Sequence, residues 1–169
     1  RLVFFVIFGG AILALFAVTL LLVRNALNAG ERVVSVALVP DATVRQFAVL
    51  PDDNACPSAV ATAQDGTIYT GSYASGTVWR ITPEGEVSEI PGTRDRLGAL
   101  IGLTVAPDGA LLLVDQLDTD PRSTGGVIYV LRGDSLSLFA EPGFIAPNDV
   151  TLDAEGRVYV SDSGSNQVW

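Results

Sequence analysis

Asp115, Asp118 and Asp120 stand close together on one stretch of chain. Carboxylates at that spacing are hard oxygen donors, the kind a divalent cation takes. Calcium asks for about six to eight oxygens, and no glutamate follows where an EF-hand loop would place one. The competing reading is a solvated acidic loop. Asn148 lies between Pro147 and Asp149. It reads either as a ligand for calcium or for a substrate oxygen, or as a turn-forming residue that bonds its own backbone after proline. Asp162 reads as a base or as the structural cap of a hairpin. Arg94-Asp95-Arg96 reads as a carboxylate clamp or as a surface ion-pair cluster. Cys56 has no basic neighbour in sequence to make it a reactive thiolate and reads as a small buried or half-buried residue.

Composition removes other chemistries. The 169 residues include no His, no Met and no Lys. A Ser-His-Asp triad, a His-ligated zinc, a Schiff-base lysine and a Walker lysine are therefore excluded. Cys56 is the single cysteine and forms no internal disulfide. The net charge is −9, with Arg1 and Arg24 in the first 30 residues and all nineteen acids after them. An acidic soluble part speaks against nucleic acid as a partner, because phosphate binding needs a basic surface.

These candidates must be positioned by a repeat. Asp65-Gly66, Asp108-Gly109 and Glu155-Gly156 each precede a strand-like segment, and the glycines recur at 43 and 47 residues. A period in the forties made of short strands predicts propeller blades. The expected strands are Ala59–Ala63, Thr67–Ser72, Thr77–Thr82 and Glu86–Ile90, then Gly102–Ala106, Ala110–Asp115, Gly126–Leu131 and Ser135–Ala140. Asp149–Leu152, Arg157–Asp162 and Gln167–Trp169 follow. The glycine pairs are expected to form tight primed turns. Thr43–Leu50 reads as a further strand, and the second unit carries a six-residue insertion, within Gln116–Gly126, relative to the first. Trp79 and Tyr129 fall at equivalent third-strand positions and read as packing between blades. In such a fold Arg94, Asp95, Arg96, Asp115, Asp118, Asp120, Asn148, Asp149 and Asp162 gather at one face. A β-sandwich is the alternative fold, and the blade-length recurrence weighs against it.

Leu2–Val23 is an uncharged run long enough to cross about 30 Å of hydrocarbon at about 1.5 Å per residue. A cleaved signal peptide would have a shorter apolar core and small residues at its cleavage site. The run therefore predicts a membrane anchor over residues 1–24, a linker over 25–42 and a partial propeller over 43–169. Membrane lipid around residues 2–23 is one expected partner, with the soluble part periplasmic or extracytoplasmic.

Pro147-Asn148-Asp149-Val150-Thr151-Leu152-Asp153-Ala154-Glu155-Gly156-Arg157-Val158-Tyr159-Val160-Ser161-Asp162 resembles the Asn-Asp segment of the six-bladed calcium-dependent propellers, the gluconolactonase, senescence-marker-protein and strictosidine-synthase-like group. Ser161–Asn166 is also similar to the NHL repeat, and the likeness runs over about 58–169. It implies a calcium ligand at Asn148. It also implies a glutamate ligand near Cys56-Pro57-Ser58, where Ser58, a weaker neutral donor, stands instead. The expected function is a membrane-anchored, non-catalytic propeller serving as an interaction or accessory subunit with other membrane-complex subunits as partners. The alternative is a calcium-dependent lactonase, in which the metal polarises the carbonyl and an Asp activates water.

Overall fold

The computed structural model describes Val18, Thr19 and residues 39–169. The chain divides into two compact units, residues 1–45 and 46–169. In the first, Val18 and Thr19 are helical, and the Ala42 amide closes a turn onto the Val39 carbonyl at 3.2 Å. The rest of the Leu2–Val23 run, and residues 25–38 of the expected linker, lie outside the described residues. Among the described residues no helix is long and apolar enough to cross a membrane.

The second unit is all-β. Its first sheet is β1 (Pro57–Thr62), β2 (Ile68–Ser72), β3 (Val78–Ile81) and β4 (Val87–Glu89), in that order. The second is β5 (Leu100–Val105), β6 (Leu111–Asp115), β7 (Val127–Arg132) and β8 (Ser135–Ala140). The third is β9 (Pro147–Leu152), β10 (Val158–Asp162) and β11 (Gln167–Val168). Every neighbouring pair is antiparallel. The first strands β1, β5 and β9 run beside one another. Each strand expected from Ala59 onward is present, within two residues at its ends.

Two expectations are corrected. The glycine hairpins are not primed two-residue turns. Ala63 and Thr67, and likewise Ala106 and Ala110, flank three-residue loops. There the Gly66 and Gly109 amides donate to the Ala63 and Ala106 carbonyls at 3.0 and 2.9 Å. Only the glycine takes a left-handed φ, +84° and +81°, so each loop is an ordinary turn closed by one left-handed residue. Thr43–Leu50 is not a strand. Its β-branched residues suit a strand, but a strand exists only as part of a ladder, and this segment pairs with none among the described residues.

The alternation of side chains along each strand builds two cores. On β6, Leu111 and Leu113 point toward the first sheet and share a core with its Val78, with Leu97 of the connecting loop and with Leu100 and Leu131 of their own sheet. Leu112 and Val114 point the other way, to Ile128, Phe144, Val150 and Val160. All four apolar β6 residues are therefore buried, which is why Leu111–Val114 reads as an unbroken apolar run. Each fully buried Leu contributes about 1.5–3 kcal/mol. Gly71 belongs to the same logic. A Cβ there would lie 1.6 Å from Leu100 Cδ2, so the side-chain-free position admits Leu100 between the sheets. Trp79 and Tyr129 do occupy the same register, opposite Thr70 and Leu113. Trp79 is fully buried, and Tyr129 packs on the first core.

Candidate functional site

Each first strand carries one extra residue near its start. Pro57 pairs with Ser72 and Ala59 with Gly71, which leaves Ser58 bulged. Leu100 and Gly102 pair with Asp115 and Val114, which leaves Ile101 bulged. Pro147 and Asp149 pair with Asp162 and Ser161, which leaves Asn148 bulged. A bulge re-aims its side chain out of the ladder, and such devices cluster beside active sites. Three equivalent positions on three adjacent first strands thus hold Ser58, Ile101 and Asn148.

Their chemistry differs. The Ser58 hydroxyl donates to the Leu100 carbonyl of the next sheet at 2.5 Å. Ile101 has no donor or acceptor on its side chain and packs against the second core. The Asn148 side chain is exposed and has no hydrogen-bond partner among the described residues. Its backbone is held from the neighbouring sheet: Gln116 Nε2 donates to the Pro147 carbonyl at 2.8 Å. Leu100 and Pro147 are the residues just before Ile101 and Asn148. The carbonyl ahead of a bulge is thus capped twice by a side chain from the preceding sheet. The bulge and an unspent carboxamide oxygen make Asn148 the position with free donor capacity.

The expected acidic triad is arranged differently. Asp115 is 1% exposed. Its Oδ1 accepts from the amides of Ala99 at 3.0 Å and Leu117 at 2.8 Å, and its Oδ2 from Gly98 at 3.0 Å. The carboxylate is committed to these backbone amides. Asp118 accepts from the Asp120 amide at 2.8 Å and the Ser123 hydroxyl at 2.9 Å; Asp120 accepts from the Arg122 amide at 2.9 Å. Asp118 and Asp120 line a small cavity of about 90 Å³ with Tyr73, Gln116 and Ser123, room for a few waters. No group of three His, Cys, Asp or Glu side chains that could hold a metal occurs among the described residues.

Asp162 repeats the Asp115 clasp one sheet on. It is also 1% exposed, and it accepts from the amides of Ile145 at 2.9 Å, Ala146 at 2.8 Å and Gly164 at 3.1 Å. Burial pushes this carboxyl up, and the Ile145 and Ala146 amides more than reverse it, down to about 2. Arg94 pairs with Glu89 at 3.1 Å and Asp52 at 3.3 Å, and Arg96 donates to the Leu136 carbonyl at 2.6 Å. These arginines tie loops and sheets together. Asp149 accepts from the Val150 amide at 2.9 Å. Cys56, expected buried or half-buried, is exposed; its neighbour Ala55 is the residue that packs inward.

Ile101 was not a sequence candidate because an aliphatic side chain carries no chemistry. The spacing could have found it, since Ser58, Ile101 and Asn148 recur at the same 43 and 47 residues as the turn glycines.

The NHL-repeat family model matches residues 144–169. Virginiamycin B lyase from Staphylococcus aureus superposes with a TM-score of 0.60 at 22% identity, over 77% of this chain and 42% of that one. The fold is that of β-propeller blades. A streptogramin B lyase structure matches with a TM-score of 0.61 at 23% identity, over 78% of this chain and 42% of that one. A gluconolactonase from Xanthomonas campestris matches with 0.54 at 21% identity, over 68% and 43%. The chain thus spans less than half the length of each propeller. No curated protein matches it by sequence. Within the propeller, the bulges of β1, β5 and β9 occupy one end of the first strand of successive blades.

Proposed function

We propose that the chain is part of a calcium-dependent, lactonase-like propeller enzyme in which Asn148 supplies one oxygen of the cation site. The observation that carries this reading is the Asn148 carboxamide: exposed, free of protein partners and aimed by a bulge at the start of a first strand. That donor suits a hard cation. Ile101 adds no oxygen, and Ser58 offers only a hydroxyl, a weaker donor to a hard cation than a carboxamide oxygen, so Asn148 is the residue of the three that fits best. A bound cation would polarise the carbonyl of a cyclic ester. The chain's own part is to hold that one oxygen in place, with Gln116 fixing the backbone ahead of it. Asp115 and Asp162 are spent on amides and serve as clasps rather than bases.

Structural neighbours named as lyases and a gluconolactonase support this reading over the non-catalytic accessory subunit. The apolar run Leu2–Val23 supports a membrane anchor ahead of the propeller.

The test is ring opening of glucono-1,5-lactone by the full chain, followed by acid release. Calcium should accelerate it. Partners that merely orient a metal ligand cost about 10–100-fold when lost, so Asn148→Ala should cost at least about 100-fold. No opening above the uncatalysed rate, or an Asn148→Ala protein as active as the parent, overturns the reading.

A further inference from the structure

The two inter-sheet junctions share a backbone register and differ in one row of side chains. On the face of the first sheet turned to the second, Tyr69 pairs with Arg80 across β2 and β3, and Arg80 with Ser88 across β3 and β4. One sheet later the same row is Leu112, Val130 and Ser137. There the junction closes: Leu112 and Val130 pack into the apolar core with Val150 and Val158. At the first junction the row is polar and the sheets leave a cleft of about 350 Å³. That is within the usual range for small-ligand pockets, about 300–1,000 Å³.

We propose that this cleft is a binding site for a small monocarboxylate with an apolar body, its carboxylate on Arg80. Arg80 lines the cleft and forms no ion pair or hydrogen bond among the described residues; longer-range attraction alone links it to Asp65. Its planar guanidinium offers the paired donors that match a carboxylate. The Tyr69 and Ser88 side chains flank it in the row, and each adds a hydroxyl. Leu111 and Leu131 form the opposite wall and suit the apolar body. A Cβ placed on Gly109 or Gly133, both in the lining, would meet no heavy atom within 4 Å, so nothing fills that side.

The two acids of the lining set the ligand's charge. Glu89 is held by Arg94 at 3.1 Å, and Asp134 has no partner among the described residues. The unpaired Asp134 carboxylate repels a dianion about twice as strongly as a monoanion. Beside Arg80, the single free cation of the lining among the described residues, one negative charge is tolerated better than the two of a phosphate monoester. This site is separate from the bulges of β1, β5 and β9 and independent of the lactonase reading.

The test uses phenylacetate as the anionic probe and phenylacetamide as its neutral isostere, titrated into the full chain in mild detergent and followed by amide chemical shifts. Phenylacetate should bind in the millimolar range and move the Tyr69, Arg80 and Ser88 amides. A hydrogen bond to a charged group is worth enough that phenylacetamide should bind about tenfold more weakly or worse. Arg80→Gln, an exposed substitution that keeps the fold, should lose the preference for the acid, and Ser88→Ala should weaken it several-fold. Equal binding of acid and amide, shifts located elsewhere, an unchanged preference in Arg80→Gln, or no binding at all overturns the proposal.

Discussion

The first blade and the two that follow repeat one backbone with different side chains. At the end of the second strand, the second and third blades carry Asp115 and Asp162. Each carboxylate reaches back to the two amides ahead of its own first strand, Gly98 and Ala99 or Ile145 and Ala146. The first blade carries Ser72 there. Its hydroxyl accepts from the Ala74 and Ser75 amides at 3.1 and 3.0 Å, within the following turn, and does not span to the strand before. The shared carbonyl bond survives in all three: Tyr73, Gln116 and Ser163 amides donate to Cys56, Ala99 and Ala146 at 3.0 Å. The backbone pattern therefore sets the blade, and the carboxylate adds a lock that two blades have and one lacks. The inter-sheet rows divide the same way, apolar and packed between the second and third blades, polar and open between the first and second.

The largest effect should come from breaking a lock. Asp115→Ala leaves the buried Ala99 amide without a partner, at about 1–3 kcal/mol, and removes a bond from the part-buried Gly98 and Leu117 amides as well. A loss of about 2–4 kcal/mol is expected in urea melts, while Ser72→Ala should cost about 1 kcal/mol. Equal losses would dissolve the contrast between blades.

The third-blade lock should also show itself in pH. The Asp162 carboxyl titrates near 2 in the fold and near about 4 when unfolded, so its stabilisation is present above about pH 4 and fades as the pH falls toward 2. Thermal melts across that window should lose stability in the parent. In Asp162→Asn the start should be lower and the slope shallower. An unchanged slope would mean the carboxylate is not held as described.

The smallest effect sharpens the junctions. Tyr69→Leu with Arg80→Val copies the second junction into the first and should raise the melting temperature by a few degrees, since apolar packing replaces an open polar cleft. A drop would mean the polar row already stabilises the first blade.

Much of the fold was legible in the residues. Turn glycines at 66, 109 and 156 and β-branched segments between them located every strand from Ala59 onward, because a hairpin's signals are local. Thr43–Leu50 was misread for the complementary reason: strand propensity is local, and the ladder that makes a strand is not. The site was less legible. Asp115 looked like a cation ligand because two of its three partners are backbone amides 16 and 17 residues back, invisible to side-chain spacing. The bulge that aims Asn148 was equally hidden, since it is a mismatch between two strands. The Arg80 row needed two ladders to assemble it.

Calcium titration of the full chain by calorimetry tests Asn148 most directly, because it asks only whether the exposed carboxamide holds a cation. Saturable binding by the parent and its loss in Asn148→Ala, with melting temperatures unchanged in calcium-free buffer, is the predicted result. Binding that survives Asn148→Ala, or a parent protein that binds no calcium, contradicts it.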